Sequence, residues 1–79
     1  MTVDSKEILS DPIEKEIKFI LELFHSNKLS EANKEIDKQL IKYPKSSILF
    51  NILGAVLSEQ NKFTDAKENY KKAIKINSN

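Results

Sequence analysis

The chain has 79 residues, with 13 basic and 12 acidic side chains, one histidine and a net charge of +1. It contains no cysteine, which excludes a disulfide framework, a thiolate metal site and a cysteine nucleophile. Every basic residue is lysine, and the lack of arginine removes the side chain best suited to bidentate contacts with phosphates and bases, which argues against a nucleic-acid partner.

A chain of this length forms one small domain. Such a domain buries only about 60% of the surface its unfolded form exposes, so its stability is expected to be on the order of 4–12 kcal/mol. Residues 1–40 hold six lysines and nine acids, whereas residues 41–79 hold seven lysines and three acids. The plain reading is two solvated faces; the sharper one is head-to-tail attraction between chains. Residues 1–10 include Asp4, Lys6 and Glu7 and lack the apolar core of a signal peptide. No stretch approaches the ~20 apolar residues of a membrane span. The expected location is therefore cytoplasmic, with no membrane partner.

Residues 1–11 read as a flexible lead-in in which Ile8 and Leu9 are placed to dock on the first helix. Asp11-Pro12-Ile13-Glu14 is a helix start: Asp11 as cap, Pro12 at the first helical position, Glu14 at capping-box spacing. Ile13, Ile17, Ile20, Leu21 and Phe24 then recur at helical spacing, with Phe19 and Leu23 widening the apolar face. This helix is expected over about residues 12–26. Ser30 is the expected cap of a second helix over 30–43, with Ala32, Ile36, Leu40 and Tyr43 as its buried stripe. Tyr43-Pro44 stops it, because a residue before proline is pushed out of helical conformation. Ser46 or Ser47 caps a third, strongly apolar helix over 47–60. Thr64 caps a fourth over 64–77, with a stripe of Phe63, Ala66, Tyr70, Ala73 and Ile74. No segment alternates with period two, so no strand is expected.

Gly54 is the only glycine and lies inside the third helix. A mid-helix glycine costs about 1 kcal/mol relative to alanine, and it usually marks a close approach of another backbone. The expected crossing places Gly54 near Ala66. Alanine at position 54 is expected to cost less than leucine, and to stabilise if its methyl fits.

Asn27-Lys28-Leu29-Ser30-Glu31-Ala32 and Asn61-Lys62-Phe63-Thr64-Asp65-Ala66 match position by position at an offset of 34. At the same offset Phe19 pairs with Leu53, Leu23 with Leu57, Ile36 with Tyr70 and Leu40 with Ile74. A helix–turn–helix repeat of this period, with the Leu53-Gly54 pair, Ala66 and Ala73, resembles the tetratricopeptide repeat (TPR) family. The resemblance covers all but about the first dozen residues and divides the chain into repeat units at 12–46 and 47–79. In the second unit Phe50 stands at the family's tryptophan site, Leu57 at its tyrosine and Tyr70 at its phenylalanine, and Ser78 replaces a usual proline. The first unit is degenerate: Glu16 occupies the tryptophan site, Ile20 the glycine site and Gln39 the second alanine site. Ile20 is expected to hold the first hairpin further open than Gly54 holds the second.

The resemblance implies an all-α fold, two helix–turn–helix hairpins stacked as a short right-handed α-solenoid. It also implies a scaffold that binds a peptide or protein segment in a concave groove. By phase the groove residues are Ile17, Leu21 and Phe24 on the first helix, then Ile48, Asn51, Ala55 and Ser58 on the third, with Glu14, His25 and Glu59 at its margins. The carboxylate clamp of one TPR subclass would fall on Ile17, Leu21, Asn51 and Ala55; only Asn51 is polar, so the clamp is absent. An alternative is the N-terminal TPR arm of a truncated or split transferase-type enzyme, without catalytic activity of its own. An RNA-binding pentatricopeptide array has a period of about 35, against which the offset of 34 and the apolar groove both argue.

No catalytic residues, metal site or cofactor is expected. His25 has no metal-ligand spacing around it. Glu14 and Glu22 are eight residues apart, or about 12 Å along a helix, beyond the reach of a glycosidase-type carboxylate pair. Stacked repeats usually need about three units and a polar end cap. This sequence supplies two and stops at Asn79, and Tyr70, Ile74 and Ile76 sit where a third would dock. Self-association through that face, or dependence on a partner, is the expectation.

Overall fold

The computed structural model describes residues 11–77. They form four helices: α1 (Glu14–His25), α2 (Leu29–Lys42), α3 (Ser47–Glu59) and α4 (Phe63–Ile76), with no strand among the described residues. The all-α hairpin fold read from the sequence is thus the fold observed. Most of the lead-in, with Ile8 and Leu9, and Ser78 at the other end lie outside the described residues.

Both hairpins turn on an asparagine. Asn27 has φ 62° and Asn61 φ 64°, the only positive values outside glycine among the described residues. This left-handed conformation costs most L-residues about 1–2 kcal/mol, and the short polar side chain of asparagine tolerates it better than most. Each turn closes with the same pair of hydrogen bonds. Asn27 N–H donates to the Phe24 carbonyl at 3.0 Å and Lys28 N–H to that of Leu23 at 2.8 Å. Asn61 N–H donates to Ser58 at 3.0 Å and Lys62 N–H to Leu57 at 2.8 Å. These six-to-one and five-to-two closures satisfy carbonyls that a helix end would otherwise leave unpaired. The likeness of the two hexapeptides is therefore a likeness of backbone.

These turns also move the helix starts. Ser30 and Thr64, expected as caps, fall inside α2 and α4, and Lys28 and Lys62 hold the cap positions without any side-chain cap bond. Their carbonyls accept from Ala32 and Ala66 N–H, both at 2.9 Å. With the chain already re-aimed by the asparagine, each helix begins two residues earlier than a side-chain cap at Ser30 or Thr64 would start it.

The start signal before α1 is also used differently from its reading. Ile13 holds the cap position in an extended conformation with no side-chain cap, so Pro12 precedes the first helical position rather than filling it. Asp11 instead accepts a hydrogen bond from the Ser46 hydroxyl. The oxygen of that hydroxyl accepts Leu49 N–H at 3.2 Å, capping α3. Ser46 is fully buried, so one serine starts α3 and ties the entry of α1 to it. Tyr43 leaves helical conformation at φ −126°, ψ 67°, as a residue before proline must.

The core runs through all four helices: Ile20 from α1, Ala32 and Ile36 from α2, Leu49, Leu53, Val56 and Leu57 from α3, and Ala66 from α4. α3 carries the largest buried share and packs on α2 and α4. Extensive backbone approach occurs only between successive helices. The close α1–α3 adjacency expected of stacked units is not among these approaches; α1 joins α3 through side chains of the common core. The approach of α3 to α4 is far more extensive than that of α1 to α2. That difference follows from the residues at the matched position, Gly54 in one hairpin and a fully buried Ile20 in the other.

The side chain nearest to Gly54 is that of Tyr70. A Cβ built on Gly54 would meet the ring of Tyr70, at 2.7 Å from Cε1, 2.8 Å from Cδ1 and 2.9 Å from Cζ. The ring lies where a side chain would be, and Ala66 and Ala73 are the only fully covered residues of α4. Phe63 and Ile74, expected in the buried stripe, are 62% and 67% exposed. Lys72 adds a contact across the same hairpin, with Nζ 5.5 Å from the Phe50 ring centre, a cation–π geometry worth about 0.5–1 kcal/mol at an exposed site.

The methyl of an alanine at position 54 thus has no room while Tyr70 keeps its place. Gly54→Ala should destabilise by about 1–3 kcal/mol through overpacking, despite its better helix propensity. In a Tyr70→Ala background the same substitution should become neutral or stabilising by up to about 1 kcal/mol. Denaturant melts of the four proteins in this cycle measure the coupling, and a stabilising Gly54→Ala on the native background would contradict the packing.

Candidate functional site

The groove residues read from the sequence all come from α1 and α3. Ile17, Leu21 and Phe24 are half-buried, with Ile17 and Phe24 packed against the core. On α3, Ile48 and Asn51 are exposed, and Ala55 and Ser58 half-buried. Asn51 thus points to solvent rather than into the core. His25 is exposed, its ring edge-on to Phe24 with centres 5.4 Å apart. Among the described residues no three His, Asp or Glu side chains converge as a metal site would require.

Two concavities open elsewhere, between α1 and α2. One, of about 320 Å³, is lined by Phe19, Leu23, Glu31, Lys34, Glu35 and Lys38. The other, of about 550 Å³, adds Ile13, Lys15, Glu16, Gln39 and Lys42 to the shared Phe19, Glu35 and Lys38. Both exist because the α1–α2 hairpin is the open one, and none of the seven groove residues lines either.

The polar chemistry of this face is unusual. Gln39 is only 4% exposed. Its Nε2 donates to Glu35 Oε2 at 3.0 Å, while its Oε1 is buried with no partner among the described residues. Glu16 Oε1 is in the same condition. Glu35, whose side chain is 19% exposed, also lies 3.8 Å from Nζ of Lys38, whose own side chain is 70% exposed. Phe19, Leu23 and Ile13 give these concavities apolar lining, and the two unpartnered acceptors beside them are closed to solvent.

Sequence reasoning flagged Glu16 and Gln39 separately, as departures from the repeat pattern in the first unit. It did not place them on one cavity. The signal was present in that both departures replace apolar residues with polar ones in the same unit.

A second unpartnered surface runs along α4. Phe63, Tyr70 and Ile74 lie on one face at spacings of seven and four, and all three are exposed. Ile76 is also exposed but lies two residues beyond Ile74, on the far side of the helix. Phe63, Tyr70 and Ile74, and not Ile76, thus share this face, but the Tyr70 ring is already seated on Gly54 of α3 and only Phe63 and Ile74 are free. At the offset of 34 the residues of this face correspond to Leu29, Ile36 and Leu40 of α2. Those three belong to the core or pack against it.

Comparison of the chain with protein-family models, curated proteins and solved structures finds no match.

A buried carboxylate oxygen without a partner carries a desolvation penalty that an apolar side chain does not. Glu16→Leu should therefore raise the stability of the chain by about 1 kcal/mol, read as a higher denaturant midpoint at unchanged slope. A lower midpoint would mean that the carboxylate is satisfied within the folded chain.

Proposed function

We propose that the chain is a protein-interaction module: two TPR-like units forming a short right-handed solenoid that holds a peptide or protein segment along α1 and α3. The observation that carries this reading is the repeated turn. The Asn27 and Asn61 closures have the same φ, the same bonding pattern and a separation of 34 residues, which is the period of the repeat family that the sequence resembles. Chains built this way present the first helix of each pair as a ligand surface. On that surface Ile17, Leu21, Phe24 and Ile48 supply apolar contact, and Asn51 and Ser58 supply hydrogen-bonding groups. A scaffolding role in the cytoplasm fits the sequence, and no helix among the described residues is long and apolar enough to cross a membrane.

A peptide library displayed against the full chain tests this directly. Ligands selected on it should lose at least tenfold in affinity, by calorimetry, on Ile48→Asp or Leu21→Asp, and should be indifferent to Lys67→Ser on α4. Selection of no ligand, or of ligands indifferent to both groove substitutions, would refute the reading.

A further inference from the structure

Residues 1–10 carry Val3, Ile8 and Leu9 among mostly polar neighbours. They join the described chain at a fixed point, because Asp11 accepts a hydrogen bond from the Ser46 hydroxyl and Pro12 is buried. The next residue, Ile13, already lines the larger cavity between α1 and α2, together with Phe19. Ile13 is 59% and Phe19 48% exposed. Leu23, on the smaller cavity, lies ten residues beyond Ile13, or about 15 Å along α1. Ten residues of chain reach about 15 Å as a helix and up to about 33 Å when extended. The segment is therefore long enough to run the length of this face.

The entry to α3 shows what the equivalent residues do in this fold. Tyr43 turns out of the end of α2 into the core, 8% exposed, three residues before the fully buried Ser46. Moving back 34 positions from Tyr43 and Ser46 gives Leu9 and Pro12. Pro12 is buried as Ser46 is. Leu9 is thus in register with a side chain that closes into the core just ahead of a first helix.

We propose that residues 1–10 cover the α1–α2 face of their own chain, with Ile8 and Leu9 against Ile13 and Phe19 and the segment running back along α1 towards Leu23. Charge does not choose this occupant. Four lysines stand on the face among Glu16, Glu31 and Glu35, and the segment is as mixed, with Asp4 and Glu7 beside Lys6. Apolar matching and the tether choose it. A segment joined by so short a linker acts at an effective concentration in the millimolar range, which a second copy at micromolar concentration does not match. The polar residues of the segment are left facing water, as the cover of an end of stacked hairpins requires. None of the seven groove residues lines this face, so the cover and the peptide-binding reading can fail independently.

Phe19 lies outside the buried core, and the chain has no tryptophan, so Phe19→Trp puts a single fluorophore on the face. In the full 79-residue chain its emission should be blue-shifted. Ile8→Asp with Leu9→Asp should shift it to the red and raise its quenching by acrylamide about twofold, since the apolar contact is lost. A Phe63→Trp reporter on α4 should not respond to the same pair of substitutions. Equal quenching at position 19 with and without them would overturn the proposal. A second measurement leaves the segment native: a photo-crosslinker in place of Phe19, activated in dilute solution, should capture residues 1–10 of its own chain, as read by mass spectrometry of the digested monomer. Crosslinks between two chains would overturn the proposal in favour of a second copy, and capture of neither would overturn it in favour of an open face.

Discussion

Two hairpins of one design need a chain that reverses twice in the same way, and here both reversals depend on an asparagine held in the left-handed region. Asn27 and Asn61 fix where α1 and α3 end, and their closing hydrogen bonds fix where α2 and α4 begin. No side-chain cap operates at either of those starts. What the packing adds comes after this constraint: once the turns set the direction of each returning helix, the residues facing across the hairpin decide how near it lies.

The two hairpins make that decision with opposite volumes. In the second, the large residue is Tyr70 and the small one is Gly54, so the ring lies on the backbone of α3. In the first, Ile20 and Ile36 stand at the same two positions and both are fully buried. Two medium side chains separate the helices where a ring laid on a glycine lets them close. The openness of α1 against α2 is the source of the cavities on that face, and so the site with the most unusual chemistry follows from a substitution in the repeat pattern. Glu16 and Gln39 keep unpartnered oxygens there, and at the offset of 34 they correspond to Phe50 and Ala73 of the second hairpin. Polar groups in such places detract from the stability of the single chain.

The sequence made the number, order and approximate limits of the helices legible, because each has an apolar stripe at helical spacing bounded by turn or proline signals. It made the openness of the first hairpin legible too, through Ile20 at the glycine position. It misplaced the caps at Ser30 and Thr64, since a left-handed asparagine competes with a side-chain cap for the same job and the residues alone do not say which wins. It put Phe63 and Ile74 in the buried stripe of α4, because periodicity identifies a face about a third of the helix wide and does not divide it between an inner neighbour and an empty flank. The cavity was the least legible feature. Glu16 and Gln39 belong to different helices, and only the geometry of the open hairpin puts both on one surface.

The equivalence of the two turns is the claim on which the fold and the proposed repeat reading rest, and the stability of glycine and alanine variants at Asn27 and Asn61 tests it most directly. If both asparagines hold the left-handed conformation, Asn→Gly should be neutral or stabilising at each position. Asn→Ala should cost about 1 kcal/mol at each, measured as denaturant midpoints at low protein concentration. Alanine tolerated at either position, or glycine costing as much as alanine, would contradict the account.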